Sequence, residues 1–331
     1  MEIDSYRAAH EPEWRRLERL VNRRSLSGAE ADELVTLYQR VATHLSAIRS
    51  SSPDPALVGW LSSVVAKARS VVTGSAEPNW RDAARFLVVG FPAACYGARR
   101  WWVTIAVVAL LVAWAVAAWV AGSPDVRAAI GAPDEIRRLV EHDFEAYYSS
   151  APAGSFGTLV WTNNALVAAT CLVLGVFGVP VVLVLWSNTV NLGVAAGLMA
   201  AAGRLDLFFG LITPHGLLEL TAVFIAAGAG LRLGWTVVDP GPRPRGEALA
   251  AQGRATVGMA LGLALVLLVS GAIEAFVTPS GLPTWARVGI GVLAEALFLA
   301  YVVVLGRRAV RGGETGDMAE SSRGDSAPVT G

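Results

Sequence analysis

Within "TPHGLLEL" (213–220) a histidine and a glutamate, His215 and Glu219, stand four residues apart in a run that is otherwise apolar. At that spacing they share one face of a helix, where an imidazole and a carboxylate can hydrogen-bond, relay a proton or supply two ligands to a metal ion. Further polar residues recur in the same apolar background: Glu274, Glu295, Asn163, Asn164, Asn188 and Asn191, with Arg204, Asp206 and Arg232 flanking the His–Glu segment. Three uses of this set are open. An intramembrane metalloprotease needs at least three ligands and an open position, which His215, Glu219 and Glu274 could supply. Against it, HxxxE is a weak pattern, no second histidine lies in an apolar segment, and neither HExxH nor EExxxR occurs. A proton- or ion-coupled transporter or channel would use Glu219, Glu295 and His215 as titrating groups beside an interrupted helix. In the third use the same residues are interhelical hydrogen-bond glue, each bond contributing about 1 kcal/mol in a bilayer. The expectation is therefore an intramembrane polar cluster with no catalytic residue, no metal and no cofactor, in a protein that is not an enzyme.

Composition says what must position these residues. Hydrophobic residues make up 54% of the 331, charged residues only 16%, and the mean hydropathy is +0.49, values that belong to a membrane protein. The formal net charge is zero, which gives no reason to expect a nucleic-acid partner. Cys95 and Cys171 fall on different segments, so no disulfide framework is expected. The opening "MEIDSYRAAHEPEW" is polar and acidic where a secretory signal would be basic and then apolar. Crossing the hydrocarbon core takes about 20 apolar residues. Residues 103–121, 164–186, 255–277 and 285–306 meet that length or nearly so. The stretch 187–238 reads as two more segments, 188–202 and 207–238, the first short enough to be broken or re-entrant. Small residues in "GLMAAAG" (197–203), "GAGLRLG" (228–234) and "GMALG" (258–262) mark faces for close packing, within the chain or in a homo-oligomer.

The first hundred residues carry a soluble protein's share of charge. Leu34, Tyr38, Val41, Leu45 and Ile48 recur at helical spacing, as do Leu57, Leu61, Val64, Ala68 and Val71, and Trp14, Leu17 and Val21 suggest an earlier helix. Ser27 and Glu30 form a capping-box pattern. These patterns predict a cytoplasmic helical bundle over 1–76, followed by an amphipathic interfacial helix over 77–100 that mixes arginines with Trp80, Phe86, Leu87 and Phe91. Arginines near span ends (Arg99, Arg100; Arg243, Arg245, Arg254; Arg307, Arg308, Arg311) mark cytoplasmic stretches. Both termini are then cytoplasmic, in a multi-pass protein of the bacterial plasma membrane, and the acidic helical segment 122–160, with a helix begun by Pro133, is external. The expected fold is all-α: a polytopic transmembrane domain over 101–308 with about six membrane segments, and a disordered cytoplasmic tail over 309–331.

"WTNNALVAA", "NLGVAAGLMAAAGRLDLFFGLITPHGLLELTAVFIAAGAGLRLGW" and "AFVTPSGLPTWARVGIGVLA" resemble the stage II sporulation protein M family of bacterial integral membrane proteins over roughly 101–308. The most specific element is Pro-His-Gly-x-x-Glu, here Pro214, His215, Gly216 and Glu219, and the long N-terminal helical region resembles the actinobacterial branch. For spore-forming members the resemblance implies a membrane anchor, or scaffold, that gathers peptidoglycan-degrading partners during engulfment. It implies no chemistry of its own. The added N-terminal domain and the acidic external segment exceed what that role requires and point to other membrane or envelope partners, peptidoglycan-remodelling enzymes among the candidates.

Overall fold

The computed structural model describes residues 3–23, 26–51, 54–72, 80–147 and 153–317, and among them every regular element is helical. The chain divides into two compact units, Met1–Asp82 and Ala83–Gly331, each with its own core.

Among its described residues the first unit packs α1 (Ile3–Val21), α2 (Gly28–Ser51) and α3 (Pro55–Val72) into a bundle. The start of α2 carries the predicted capping box: Ser27 N–H donates to Glu30 at 3.0 Å, and Glu30 N–H donates to Ser27 Oγ at 3.4 Å. Trp14, Leu17, Leu34, Val41, Ile48 and Leu61 are buried together, at the i, i+3, i+4 spacing that puts an apolar stripe on each helix. Two details differ from the sequence reading. Leu37 rather than Tyr38 is buried on α2, and Val71 is exposed, because α3 ends one residue later and leaves it nothing to cover. The indoles find partners, Trp14 Nε1 donating to His44 Nδ1 at 3.1 Å and Trp60 Nε1 to Glu18 at 2.9 Å. The boundary expected at residue 76 lies outside the described residues.

Among the described residues of the second unit, five helices are long and apolar enough to cross a membrane: α6 (Arg99–Gly122), α11 (Val179–Ala201), α12 (Leu205–Val238), α13 (Arg245–Ala272, extended by a π-helical turn at Ile273–Val277) and α14 (Thr284–Arg311). A sixth, α10 (Ala153–Leu174), contributes a shorter apolar stretch over Trp161–Phe177. The polarity is that of a lipid-facing bundle. Trp114, Leu111, Leu183, Leu261, Leu297 and Val304 point outward and exposed, whereas the interior of α12 from Ala222 to Gly230 is buried on every side and mostly alanine and glycine. α12 runs against α6, α10, α13 and α14, and α6 pairs with α11.

Close backbone approach explains the glycines. A methyl group at Gly175, Gly230 or Gly234 would strike backbone where α12 meets the end of α10 and the 3₁₀ turn after it, one at Gly197 would strike α6, and one at Gly262 the Phe91 ring. These small-residue faces are therefore occupied within the chain itself.

Five expectations require correction. The apolar run 164–186 is not one span. A 3₁₀ turn (Gly175–Phe177) and Gly178 at φ +68° end α10, and α11 then restarts with Pro180 in its first turn. Residues 188–202, expected to be short, broken or re-entrant, are thus the second half of an unbroken 23-residue helix. The interfacial helix expected over 77–100 is divided into α4 (Trp80–Arg85), a π turn (Phe86–Gly90) and α5 (Phe91–Gly97). Phe91 through Cys95 are buried in the bundle core, because residues 86–98 carry no charge and α5 packs on α14. The external segment holds α7 (Pro124–Ile130), α8 (Pro133–Arg138), a π turn (Leu139–Asp143) and α9 (Phe144–Tyr147), and it gives way to α10 at Ala153; residues 148–152 lie outside the described residues. The tail expected to be disordered from 309 is instead helical to Arg311 and then held down. Asp317 accepts two bonds of 2.6 Å from Arg254, Glu314 pairs with Arg85 at 3.2 Å, and Gly316 at φ +83° lies against Ala94. Residues 318–331 lie outside the described residues.

Candidate functional site

Two turns of helix build the site. On α12, His215 and Glu219 share a face one turn apart, just past Pro214, which the helix accommodates without interruption. On α13 and its extension, Ser270, Glu274 and Thr278 recur at intervals of four. The π turn ends with Thr278 N–H bonded to Ile273 O at 3.0 Å, an i to i+5 bond of the kind found where a helix is widened at a working site.

These faces meet at His215. Ser270 Oγ donates to the His215 carbonyl at 2.9 Å, His215 Nδ1 lies 3.3 Å from Thr278 Oγ1, and His215 Nε2 lies 3.7 Å from Glu274 Oε1. The last distance is too long for a hydrogen bond but within ion-pair range. His215, Ser270, Glu274 and Thr278 are all buried. Glu219 is half-buried and lines a small cavity together with Asn164 of α10. One ligating atom from each of His215, Glu219 and Glu274 falls within 4.8 Å of the others. Beside Glu219 a cavity of about 50 Å³ is lined by Asn164, Asn188, Thr189 and Leu110, enough for one or two waters. Glu274 Oε2 is buried without a hydrogen-bond partner.

The rest of the sequence-predicted cluster is dispersed. Glu295 of α14 accepts from Thr221 Oγ1 at 2.8 Å, on a different side of α12. Asn188 lines the cavity but is mostly exposed and donates to Val184 O of its own helix at 2.8 Å. Asn163, Asn191 and Asp206 are exposed. Arg204 lies in the turn between α11 and α12, where it donates to the carbonyls of Val140 at 2.8 Å and Glu141 at 3.3 Å and so clamps the acidic segment. Arg232 lies towards the other end of α12, lining a polar cavity with Trp101, Trp235, Asp239 and Gln252. Dispersal follows from helix geometry, since positions one or two residues off the Glu219 face point to lipid or to another helix.

Ser270 and Thr278 were missed by the sequence reading. Their common spacing of four with Glu274 is a readable signal. Thr221 carries no comparable one, because its partner is 74 residues away in sequence.

Outside the membrane segments, His10, Glu13 and His44 of the first unit form a second group whose ligating atoms fall within 4.8 Å. Burial, then the neighbouring His10, hold the His44 imidazole below its ordinary range.

Comparison with known proteins gives two matches. The family model described as Stage II sporulation protein M matches residues 103–279, which takes in α12, the π turn and Thr278 but not α14. A model described as Domain of unknown function (DUF8413) matches residues 4–74. No curated protein and no solved structure matches the chain.

Proposed function

The chain belongs to the stage II sporulation protein M family, and from that premise we propose that it is a membrane-embedded anchor that assembles partner proteins at the bacterial cell envelope and carries out no reaction of its own. The observation that carries this reading is the bonding of polar groups from helix to helix within one chain. Ser270 to the His215 carbonyl and Thr221 to Glu295 tie α13 and α14 to α12. Glycine contacts close α10 on α12 backbone to backbone. A bundle fixed in this way suits a platform whose task is to hold surfaces in place. Two surfaces are available: the helical N-terminal unit, and the acidic segment fastened by Arg204. By the distribution of arginines the plasma-membrane protein has both termini in the cytoplasm and the acidic segment outside. Its partners are then other membrane or envelope proteins, peptidoglycan-remodelling enzymes among them, and a second copy of the chain is a further candidate.

The test is gentle extraction of the tagged full-length protein from its own membranes beside a Glu219→Gln variant. A partner recovered near one per chain and lost in the variant is the expected result. Unchanged recovery in Glu219→Gln and His215→Ala proteins that accumulate normally would refute the structural role given to this pair. A proton- or ion-coupled transporter remains the second reading, favoured by the buried, unpartnered oxygens of Glu274 and Glu295. It requires proton- or ion-dependent flux into liposomes that Glu219→Gln abolishes.

A further inference from the structure

Glu274 is 3% exposed, and its Oε2 has no hydrogen-bond partner. The two hydroxyls one turn either side of it do not serve it: Ser270 donates to the His215 carbonyl, and Thr278 engages His215 Nδ1. What faces the Glu274 carboxylate is His215 Nε2 at 3.7 Å, with Glu219 beside them. His215 Nδ1 and the Thr278 hydroxyl share a hydrogen bond whose direction depends on the imidazole tautomer, and with the proton on Nδ1 the Nε2 lone pair faces a carboxylate that presents its own. Such an arrangement, shut away from water, calls for a cation between the groups.

We propose that His215 Nε2 and one oxygen each of Glu219 and Glu274 bind a single divalent transition-metal ion of the zinc type, tying α12 to α13. The charge balances, since a neutral imidazole and two carboxylates neutralise a dication in a low-dielectric interior. The spacing fits as well. Bonds of about 2.0–2.2 Å in a tetrahedral shell separate the ligands by roughly 3.3–3.6 Å. The His215–Glu274 distance is 3.7 Å, and the whole set lies within 4.8 Å, so a side-chain adjustment of about 1 Å closes the shell. The fourth position of the tetrahedral shell falls to a water. Thr278 supplies the outer hydrogen bond that orients a metal-bound imidazole. Calcium and magnesium, which take six or more oxygens, are poorly matched by one nitrogen and two carboxylates. The His10–Glu13–His44 group is a weaker site, because Trp14 Nε1 donates to His44 Nδ1 and thereby puts the imidazole proton on Nε2. This inference stands independently of the anchor reading.

The experiment uses the full chain carrying a tag without histidines, purified in mild detergent, stripped with chelator and reloaded with Zn²⁺ or Co²⁺. Metal is counted by mass spectrometry, and the Co²⁺ ligand-field spectrum reports the shell. The expected result is one ion per chain in the wild type and in Glu295→Gln and His10→Ala, with stoichiometric binding lost in Glu274→Gln. Thr278→Val keeps all three ligands and is expected to bind about 10–100-fold more weakly, so it tests the site even where a ligand variant fails to fold. Absence of bound ion and of a Co²⁺ spectrum in the wild type would overturn the proposal in favour of a shared proton. Binding that survives in Glu274→Gln, or that disappears in His10→Ala, would overturn it as well.

Discussion

Replacing Gly230 by alanine tests whether the bundle is closed by backbone contact. In a helix interior the change contributes about 0.5–1 kcal/mol of stability through propensity alone. At Gly230 the new methyl would meet the Cys171 carbonyl and lie 3.1 Å from the Gly175 Cα. Both are backbone, so neither can rotate aside as a side chain would. α10 must move away from α12 by about 1 Å, which weakens the Gly175–Gly234 approach and strains the Trp161 Nε1 to Ala264 O bond of 3.2 Å. Overpacking of this kind costs about 1–3 kcal/mol, and the rigidity of both surfaces argues for the upper part of that range. Net of propensity, Gly230→Ala is expected to lose about 2 kcal/mol. The control is Gly253→Ala in α13, where a methyl meets nothing within 4 Å and only the propensity gain remains. The two variants should differ by about 3 kcal/mol, or roughly 6–12 °C in midpoint for a domain of this size. Thermal unfolding in one detergent, followed by tryptophan fluorescence, reads the difference. A Gly230→Ala protein that melts at or above the wild type would refute the packing argument.

The first unit should lose stability in two stages on acidification. His44 is held below its ordinary 6.5 by burial, so the unfolded chain takes up a proton first, and stability that is complete above pH 6.5 falls as the pH drops below it. Glu30, lowered by the Ser27 amide, and Glu33, lowered by Arg16, contribute stability that is complete above their ordinary 4.5 and lost below it. Denaturant midpoints that stay level between pH 7 and pH 4 would contradict both. Ser27→Ala removes half the capping box and should cost about 1 kcal/mol, seen as faster amide exchange in the first turn of α2 with α3 unaffected. Arg254→Ala removes both bonds to Asp317, worth about 1.5–3 kcal/mol as charge-assisted contacts. Proteolysis just after Arg311 should accelerate, and an unchanged rate would mean that the segment is held by something else.

What could be read in advance follows from the range over which each signal acts. The capping box and the α2 and α3 stripes are local, and residues three or four apart settle them. Span hydropathy is an average over about 20 residues and is blind to a turn with apolar flanks. That is why Gly178 escaped notice, although Gly178 followed by Pro180 is a stop-and-start pattern legible without any average. α5 was misread for the converse reason. Arg81, Arg85, Arg99 and Arg100 coloured the whole segment, while the uncharged residues between them belong to the core. The docking of Asp317 on Arg254, 63 residues away, is tertiary and has no local trace. At the site, His215 and Glu219 were legible as a pair because helix geometry fixes their face. Their partner Glu274 could be named as polar and intramembrane, but that it meets them, while Glu295 does not, depends on how α13 and α14 pack on α12.

The cost of the cluster argues that its neutralising partner matters more than its hydrogen bonds. A charged residue at mid-membrane costs about 3 kcal/mol on insertion scales, whereas an interhelical hydrogen bond returns about 1 kcal/mol. Glu274 has only the long approach of His215, so its carboxylate is not offset by its bonds. A residue that is purely a cost should improve when it is removed, and Glu274→Met, similar in shape and apolar, makes the comparison. In chelator-stripped protein the change should be neutral or stabilising by about 1–4 kcal/mol, as is common when apolar groups replace buried charges. In metal-loaded protein the sign should reverse, because the wild type then gains the binding free energy and the variant does not. Unfolding of both proteins with and without Zn²⁺ gives the four midpoints. If Glu274→Met is less stable in both conditions by the same amount, the carboxylate is held by protein contacts alone, and the charge argument for a cation fails.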